Sequence, residues 1–325
     1  MNAWSLLERA FGWGGVLAYH GVGDAPHLPA MHISPERLRA QLAHLRDQYN
    51  VVSLRELSAR WRDRRSTAGC VAITFDDAYR GVATHALSIL RALDLQATVF
   101  VASDYAACGG VYWWDDVELQ RLALRNASWS EAPAAVGLPV LDPGDETASD
   151  RIRTRVLSRF AGRWPKGVRA GGDTMWRSLK FDELAAMATD DRIDFAVHTK
   201  SHPALPLLSF EEQVAEMRDN LRVIQERLPR VLPVVAYPYG LYDRVTVKAA
   251  LQAGMVAGVT MEGRASANHP NPMMVPRVGG VENRSAESVA RRLTRALRPV
   301  LTLRNRGVHP KVPVDREADA RAVLK

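Results

Sequence analysis

Short apolar runs alternate with longer amphipathic runs along most of the chain. The apolar runs are GVLAYHGV from Gly15, VVSL from Val51, VAITF from Val71, ATVFVAS from Ala97, RIDFAVHT from Arg192, PVVAYPYG from Pro233, MVAGVTM from Met255 and MMVPRVG from Met273. Most are rich in valine, isoleucine and aromatic residues and have the length of a strand. Because these runs are nearly continuous in apolar residues, they indicate a parallel sheet that is covered on both faces.

Amphipathic helices are predicted between the strands. SPERLRAQLAHLRDQY has Ser34 as its N-cap and Pro35 at the first helical position, and Leu38, Leu42 and Leu45 recur on one face. Further helical patterns are GVATHALSILRAL, FEEQVAEMRDNLRVIQERL and YDRVTVKAALQAG. With about seven strand–helix units, the sequence predicts an α/β fold, a distorted (β/α) barrel of about seven parallel strands.

Two segments depart from this alternation. Residues 112–177 hold YWWDD, a connector rich in Pro, Gly and Asp, and then a basic helix, and we predict an insertion that caps the barrel mouth. The barrel domain is expected over residues 1–282. Residues 283–325 are expected to form a basic helix followed by a disordered tail, since the last residues are polar and lack apolar periodicity.

Composition and charge narrow the class only slightly. Of 325 residues, 47% are hydrophobic and 24% charged, which is typical of a globular protein. The N-terminus lacks the basic start and apolar core of a secretory signal, and only two cysteines occur, so we expect a cytoplasmic protein without a disulfide framework.

The net charge of +7 comes largely from one C-terminal stretch, which has seven arginines between Arg284 and Arg306. We therefore expect no nucleic-acid partner. Val289, Leu293 and Leu297 recur at helical spacing in this stretch, so it fits either peripheral contact with an anionic membrane or a solvated basic helix that covers the barrel base.

Residues able to do chemistry follow several of the predicted strands. They are Tyr19 and His20, Asp76 and Asp77, His198 and His202, Tyr237 and Tyr239, and Arg277. In parallel α/β folds the carboxyl ends of the strands meet on one face, where active sites collect.

HTKSHP and the paired carboxylates of TFDD together indicate a metal site. Histidines four residues apart in one helical turn can bind a single ion, and two imidazoles with one carboxylate leave a position open for water. A dication would also offset the repulsion between Asp76 and Asp77. The alternative for the aspartate pair is a solvated turn or a helix cap.

Three motifs give the chain a family resemblance. TFDDAYRG, HTKSHP and AYPYG, in this order, resemble the successive motifs of the NodB-homology polysaccharide deacetylases, carbohydrate esterase family four. VLAYHGVGD and WWDD are similar to members from exopolysaccharide clusters, and the resemblance covers roughly Gly15 to Gly280. It implies a distorted barrel and metal-dependent removal of N-acetyl groups from an amino-sugar polysaccharide, oligosaccharide or lipid-linked saccharide.

The resemblance also implies roles for individual residues. Asp77, His198 and His202 would hold a divalent metal, zinc in the first place, with cobalt or nickel as alternatives. Asp76 would be the general base, and the backbone N–H of Tyr239 would stabilise the oxyanion.

Two features of the family are missing. Ala236 stands where an arginine usually orients the base, and the usual late leucine-x-histidine, the source of the general acid, has no clear match. Because the first and last strands of a closed barrel are neighbours, we expect His20 to act as the general acid, as an early histidine does in the similar biofilm poly-N-acetylglucosamine deacetylases. We expect Arg277 to supply the charge that Ala236 lacks. A packed histidine and a surface or phosphate-binding arginine are the alternatives.

The substrate is expected to meet an aromatic wall. Trp113, Trp114, Tyr237 and Tyr239 would stack on a sugar ring, although aromatic residues also belong to cores. Asp115 would bind sugar hydroxyls, unless it begins a helix. Two other functions stay open: a different amide or formamide hydrolase on this fold, and a non-catalytic saccharide-binding module.

Overall fold

The computed structural model describes residues 15–23, 31–63, 65–117, 148–163, 167–170, 174–262 and 271–297. Its strands are β1 (Gly15–Tyr19), β2 (Gly21–Val22), β3 (His32–Ile33), β4 (Asn50–Val51), β5 (Cys70–Phe75), β6 (Ala97–Val101), β7 (Gly110–Val111), β8 (Arg169–Ala170), β9 (Ile193–Val197), β10 (Val231–Ala236), β11 (Ala257–Thr260) and β12 (Val275–Val278). Its labelled α-helices are α1 (Pro35–Gln48), α2 (Leu54–Arg62), α3 (Leu87–Leu93), α4 (Ser103–Cys108), α5 (Ala148–Phe160), α6 (Phe181–Met187), α7 (Phe210–Arg227), α8 (Arg244–Gln252) and α9 (Ala286–Leu297).

Seven parallel strands close into a barrel, which confirms the predicted fold class. Their order is β1, β12, β11, β10, β9, β6, β5 and back to β1. Closure is made by the β1–β5 pairing, in which Gly15 faces Val71 and Tyr19 faces Phe75. Short β4 pairs with the start of β5 outside the ring. Since all seven strands run the same way, their carboxyl ends form one mouth.

Local sequence signals explain the surrounding helices. The Ser34 hydroxyl accepts a hydrogen bond from the N–H of Arg37 at 3.3 Å, so Ser34 caps α1 as predicted. Leu38, Leu42 and Leu45 on the inner face of α1 are fully buried. Burying each such leucine contributes roughly 1.5–3 kcal/mol, so the apolar face rather than helix propensity fixes α1 against the barrel.

The described part of the predicted insertion packs beside the barrel mouth. It includes the helix α5 and the strand β8, which pairs antiparallel with β7 just before the insertion. The N–H of Leu179 donates to the carbonyl of Ala78 at 2.7 Å, and the N–H of Arg80 donates to the carbonyl of Arg177 at 2.9 Å. The end of this segment is therefore tied to the loop after β5. Residues 118–147, 164–166 and 171–173 lie outside the described residues.

The C-terminal helix α9 uses its apolar face for packing. Val289 and Leu293 are fully buried in the main core, where α9 lies against α1. Of the three apolar residues predicted at helical spacing, Val289, Leu293 and Leu297, the first two are therefore buried in the core. The predicted tail lies beyond the described residues. Among the helices that are described, none has the length and apolar character needed to cross a membrane.

Candidate active site

Three predicted metal ligands meet at the barrel mouth. Asp77 follows β5, and His198 and His202 follow β9. Asp77 Oδ1 lies 3.3 Å from His198 Nε2 and 3.4 Å from His202 Nε2. The two Nε2 atoms lie 3.2 Å apart, and all three residues are at most 3% exposed. The structure therefore brings together three ligand atoms from two separate strand ends.

The chemistry of these atoms fits a cation. His198 Nδ1 lies 2.9 Å from the carbonyl of Ala236, a contact that requires the proton on Nδ1 and leaves a lone pair on Nε2. Burial and the neighbouring His198 lower the pKa of His202 to about 3, so its imidazole is neutral at pH 7. Within the described chain, Asp77 Oδ1 receives no hydrogen bond. Buried lone pairs facing one another are unfavourable unless a cation lies between them.

The spacing fits as well. Zinc lies about 2.0–2.2 Å from histidine nitrogens and carboxylate oxygens in tetrahedral sites, which places ligand atoms roughly 3.3–3.5 Å apart. The observed separations of 3.2–3.4 Å lie in this range or within about 0.1 Å of it. Asp77, His198 and His202 can therefore hold a divalent cation with little rearrangement.

Strained backbone shapes these loops. Asp77 and Ala78 have φ of 66° and 49°, and Thr199 and His202 have φ of 62° and 55°. Non-glycine residues seldom adopt this left-handed region, and such strain clusters at functional sites. The prediction that HTKSHP forms a helical turn is wrong: the two imidazoles converge through an irregular loop in which two residues have positive φ, a feature that residue spacing does not reveal.

Arg277 takes the place left by Ala236. Its Nη1 and Nη2 each donate to an oxygen of Asp76 at 2.6 Å, and Nη1 also donates to the Thr74 hydroxyl at 3.2 Å. The guanidinium is fully buried and lies over the Phe100 ring. Burial would raise the pKa of Asp76, but the charge and hydrogen bonds of Arg277 hold it below its ordinary range. Asp76 is therefore ionised at neutral pH.

His20 has a carboxylate partner that the sequence reasoning missed. Its Nδ1 lies 3.1 Å from Glu282 Oε1, on the loop after β12. Burial opposes protonation of His20, yet the bond to Glu282 and the charges of Asp76 and Asp77 raise its pKa to about 9. Arg37 steadies the loop by donating to the carbonyl of Glu282 at 3.2 Å. The sequence predicted that the first and last strands are neighbours, but it did not show which residue of the loop after β12 would face His20.

Tyr239 lies on a tight turn beside the cluster. Its φ is 60°, and its ring centroid lies 4.8 Å from that of His202. The Tyr239 hydroxyl donates to the carbonyl of Gly162 at 2.7 Å and accepts from Trp113 Nε1 at 3.0 Å. Trp113 is only 4% exposed, so it supports Tyr239 rather than offering a sugar platform.

Trp114 lies beside the ligands as a partly exposed ring. Its centroid is 5.2 Å from that of His202, and its Nε1 donates to the Tyr79 hydroxyl at 3.0 Å. Tyr112 stacks on Trp114 at 4.8 Å and donates its hydroxyl to the carbonyl of Asp77 at 3.2 Å. The stacked pair of Tyr112 and Trp114 therefore helps to hold the backbone at Asp77 in place.

Besides Trp113, two more predicted substrate-binding residues belong to the packed interior. Tyr237 is 1% exposed, stacks on Tyr242 and donates its hydroxyl to the carbonyl of Met273 at 2.9 Å, so no ring face is open to a sugar. Asp115 is 1% exposed and accepts a hydrogen bond from the Tyr79 hydroxyl within a helical segment at residues 113–117. We correct both predictions: aromatic and acidic residue types near the mouth did not distinguish packing from binding.

Known proteins share this fold. YxkH of Bacillus subtilis (strain 168), whose assigned name is that of a polysaccharide deacetylase, is 20% identical over 265 residues, covering 81% of this chain and 70% of YxkH. The structure of the Streptococcus pyogenes deacetylase PplD in complex with acetate has a TM-score of 0.59, 19% identity, and coverage of 89% of this chain and 99% of that one. The de-N-acetylase from Aggregatibacter actinomycetemcomitans has a TM-score of 0.55, 18% identity, and coverage of 86% and 99%.

A family model gives the assignment. The model described as polysaccharide deacetylase matches residues 63–130 and 156–258, together more than half of the chain. These ranges contain TFDDAYRG, HTKSHP and AYPYG, the motifs from which the resemblance was drawn, and all three surround the Asp77–His198–His202 cluster. The chain therefore belongs to the polysaccharide deacetylase family.

Proposed function

We propose that this protein is a metal-dependent N-deacetylase of an amino-sugar glycan. The observation that carries the proposal is the buried Asp77–His198–His202 cluster beside an arginine-paired carboxylate, Asp76, at the mouth of a polysaccharide deacetylase barrel. Family membership supports a polysaccharide substrate, and the similar structure titled a de-N-acetylase supports an N-acetyl group as the part that is removed.

The metal ligands and the base have separate tasks. Asp77, His198 and His202 would hold the cation, zinc in the first place, with cobalt or nickel as alternatives. When bound, such a cation acts as a Lewis acid towards the amide carbonyl and acidifies water. Asp76 accepts the proton of the attacking water, and Arg277 fixes both of its oxygens so that the carboxylate cannot rotate away.

His20 supplies the proton that an amine leaving group needs. Its Nδ1–H is engaged by Glu282, so the proton on Nε2 is the one that it can donate. With a pKa of about 9, His20 is protonated at neutral pH, as a general acid must be. The N–H of Tyr239, at its left-handed turn, is proposed to donate to the oxyanion.

Trp114 is the aromatic side chain best placed to meet a sugar ring. It is partly exposed and lies against His202 and Tyr239. A pyranose stacked there would bring an adjacent acetamide towards the cluster.

A cytoplasmic location with peripheral contact to an anionic membrane is a separate proposal. Val289 and Leu293 are buried, so neither can enter a membrane surface, and the arginines of α9 would have to provide the attraction. Such binding should vanish at high salt. Co-sedimentation with anionic liposomes that is unchanged by removing residues after Arg284 would exclude it.

Acetate release tests the function directly. The purified chain is incubated with N-acetylglucosamine oligomers and with lipid-linked amino sugars, with and without a chelator and with zinc added back. We expect acetate release that the chelator abolishes and zinc restores, and loss of release in Asp76→Asn. Chelator-insensitive cleavage of a cyclic or formyl amide would favour the other hydrolases of this fold. Saccharide binding without any acetate release would favour a binding module.

A further inference from the structure

The loop that carries both histidine ligands is held mainly from outside. Residues 198–203 are neither helix nor strand, and Thr199 and His202 both have positive φ. Each left-handed residue costs roughly 1–2 kcal/mol, which surrounding contacts must offset. One local bond, from the N–H of His202 to the Thr199 hydroxyl at 3.1 Å, supports the turn from within.

Glu216 on α7 holds the middle of this loop. Its Oε2 accepts from the N–H of Ser201 at 2.8 Å, and its Oε1 accepts from the Ser201 hydroxyl at 2.6 Å. Its backbone carbonyl accepts from the N–H of Lys200 at 2.9 Å. One buried residue therefore fixes two consecutive loop residues, and Ser201 immediately precedes the ligand His202.

Arg163, which lies just after α5 within the insertion, completes the contact. Its Nη2 donates to Glu216 Oε1 at 2.8 Å, and its Nε donates to the Ser201 hydroxyl at 2.9 Å. The Glu216 side chain is 9% exposed and that of Arg163 is 38% exposed. A carboxylate this buried needs an ionic partner, and Arg163 provides it while also reaching the loop itself.

The residues just after α5 also touch a second part of the site. The carbonyl of Ala161 accepts from the N–H of Ala204 at 2.6 Å, just after the ligand loop. The carbonyl of Gly162 accepts from the Tyr239 hydroxyl. Three consecutive residues after α5 thus contact both sides of the candidate active site.

We propose that Arg163 and Glu216 are positioning residues that set the placement of His202, so that the segment just after α5 controls cation affinity. The inference rests on the proposed function, in which Asp77, His198 and His202 hold a divalent cation. Loss of either residue lets Ser201 move, and the His202 imidazole then leaves the 3.2–3.4 Å spacing that one cation requires.

The test measures zinc affinity of the full-length protein by competition with a chromophoric chelator. The variants are Arg163→Met, Glu216→Gln and the double substitution, with Arg163→Lys as the conservative variant. Glu226→Gln is the matched control, because Glu226 lies on the same helix and pairs with Arg222 in a solvent-exposed ion pair. Cobalt loading adds a spectroscopic readout, since the visible absorption of bound cobalt reports its coordination geometry.

Each single variant should weaken zinc binding about 10-fold or more, as substitutions that support metal ligands commonly do. The double substitution should cost no more than the worse single one, because the two residues act through Ser201 together. Arg163→Lys should recover part of the affinity, and Glu226→Gln should stay within about twofold of the unchanged protein. The cobalt spectrum should change in Arg163→Met and not in the control.

Zinc dissociation constants within about twofold of the unchanged protein for both Arg163→Met and Glu216→Gln would overturn the inference. So would an equal loss of affinity in Glu226→Gln, which would point to general destabilisation of α7. Thermal melts without metal check folding, and Glu216→Gln, which removes the buried charge and leaves Arg163 partly exposed, is the variant expected to fold normally. Absence of zinc binding by the unchanged protein would refute the metal centre of the proposed function itself, and the inference with it.

Discussion

Replacing Glu282 with glutamine should move the alkaline limit of activity. Glu282 is buried and accepts the Nδ1–H of His20, and together with Asp76 and Asp77 it raises the pKa of His20 to about 9. Glutamine keeps the shape of the side chain and a hydrogen-bond acceptor but removes the charge. Burial favours the neutral imidazole while Asp76 and Asp77 still favour the charged one, so the pKa should fall from about 9 towards its ordinary value of 6.5.

The magnitude follows from the two pKa values. At pH 8 a group with a pKa of about 9 is about 90% protonated, and one with a pKa of about 6.5 is about 3% protonated. If protonated His20 is the general acid, kcat/KM at pH 8 should drop in Glu282→Gln, by up to about 30-fold when the pKa falls all the way to 6.5. At pH 6 both proteins are mostly protonated, and the difference should be less than about twofold.

The assay is acetate release from N-acetylglucosamine oligomers between pH 5.5 and 10, combined with an NMR titration of the His20 ring. Asn283→Ala is the control, since Asn283 is the exposed neighbour of Glu282 and accepts a hydrogen bond from Arg37. The control should keep the alkaline limb near pH 9. An unchanged alkaline limb in Glu282→Gln, with the His20 pKa shown to have fallen, would refute His20 as the acid.

Three further substitutions probe the surroundings of the site. Arg277→Lys loses the paired hydrogen bonds to Asp76, so kcat for acetate release should fall about 10- to 100-fold while zinc affinity stays within about twofold. A large loss of zinc affinity with little change in kcat would exclude a base-orienting role. Burial lowers the pKa of His32 to about 4, so below pH 6.5 the unfolded chain binds a proton that the folded chain does not, and the free energy of unfolding decreases as the pH is lowered. In urea unfolding, His32→Leu should lose about 2 kcal/mol less than the unchanged protein between pH 7 and pH 5. Gly162 has a φ of 79°, and in Gly162→Ala the new Cβ would lie 2.6 Å from the Tyr239 ring. Both the melting temperature and kcat should therefore fall. Unchanged values would show that Tyr239 can move freely.

The barrel was accessible from the sequence because its signals are local and repeated. Apolar runs mark each strand, and the Ser34–Pro35 start of α1 is visible in the residues themselves. Strand direction then follows from the βαβ connections, and with it the common mouth where Asp77 and His198 meet. The identities of the three candidate metal ligands could therefore be predicted from the sequence.

The backbone conformation of the site could not be predicted from the sequence in the same way. The left-handed conformations of Asp77, Thr199 and His202 depend on contacts from Glu216 and the insertion, which come from distant parts of the chain. A helical turn was the simplest structure for the histidine spacing, and tertiary hydrogen bonds replaced it.

Partners across the barrel were predicted only where neighbouring strands fix them. Arg277 lies on β12, next to β1 and close to the end of β5, so its reach to Asp76 was foreseeable. Glu282 lies four residues beyond β12, in a loop whose path depends on its packing against α1. Tyr237 was misassigned because residue type cannot tell which face of a strand end a side chain occupies.

The central claim is that one divalent cation joins the ends of β5 and β9. The most direct test is anomalous diffraction at the zinc absorption edge from crystals of the full chain grown with zinc. The account predicts a single strong peak about 2.0–2.2 Å from Asp77 Oδ1, His198 Nε2 and His202 Nε2. Zinc bound only elsewhere, or these three side chains turned away from one another with zinc in the crystal, would contradict it.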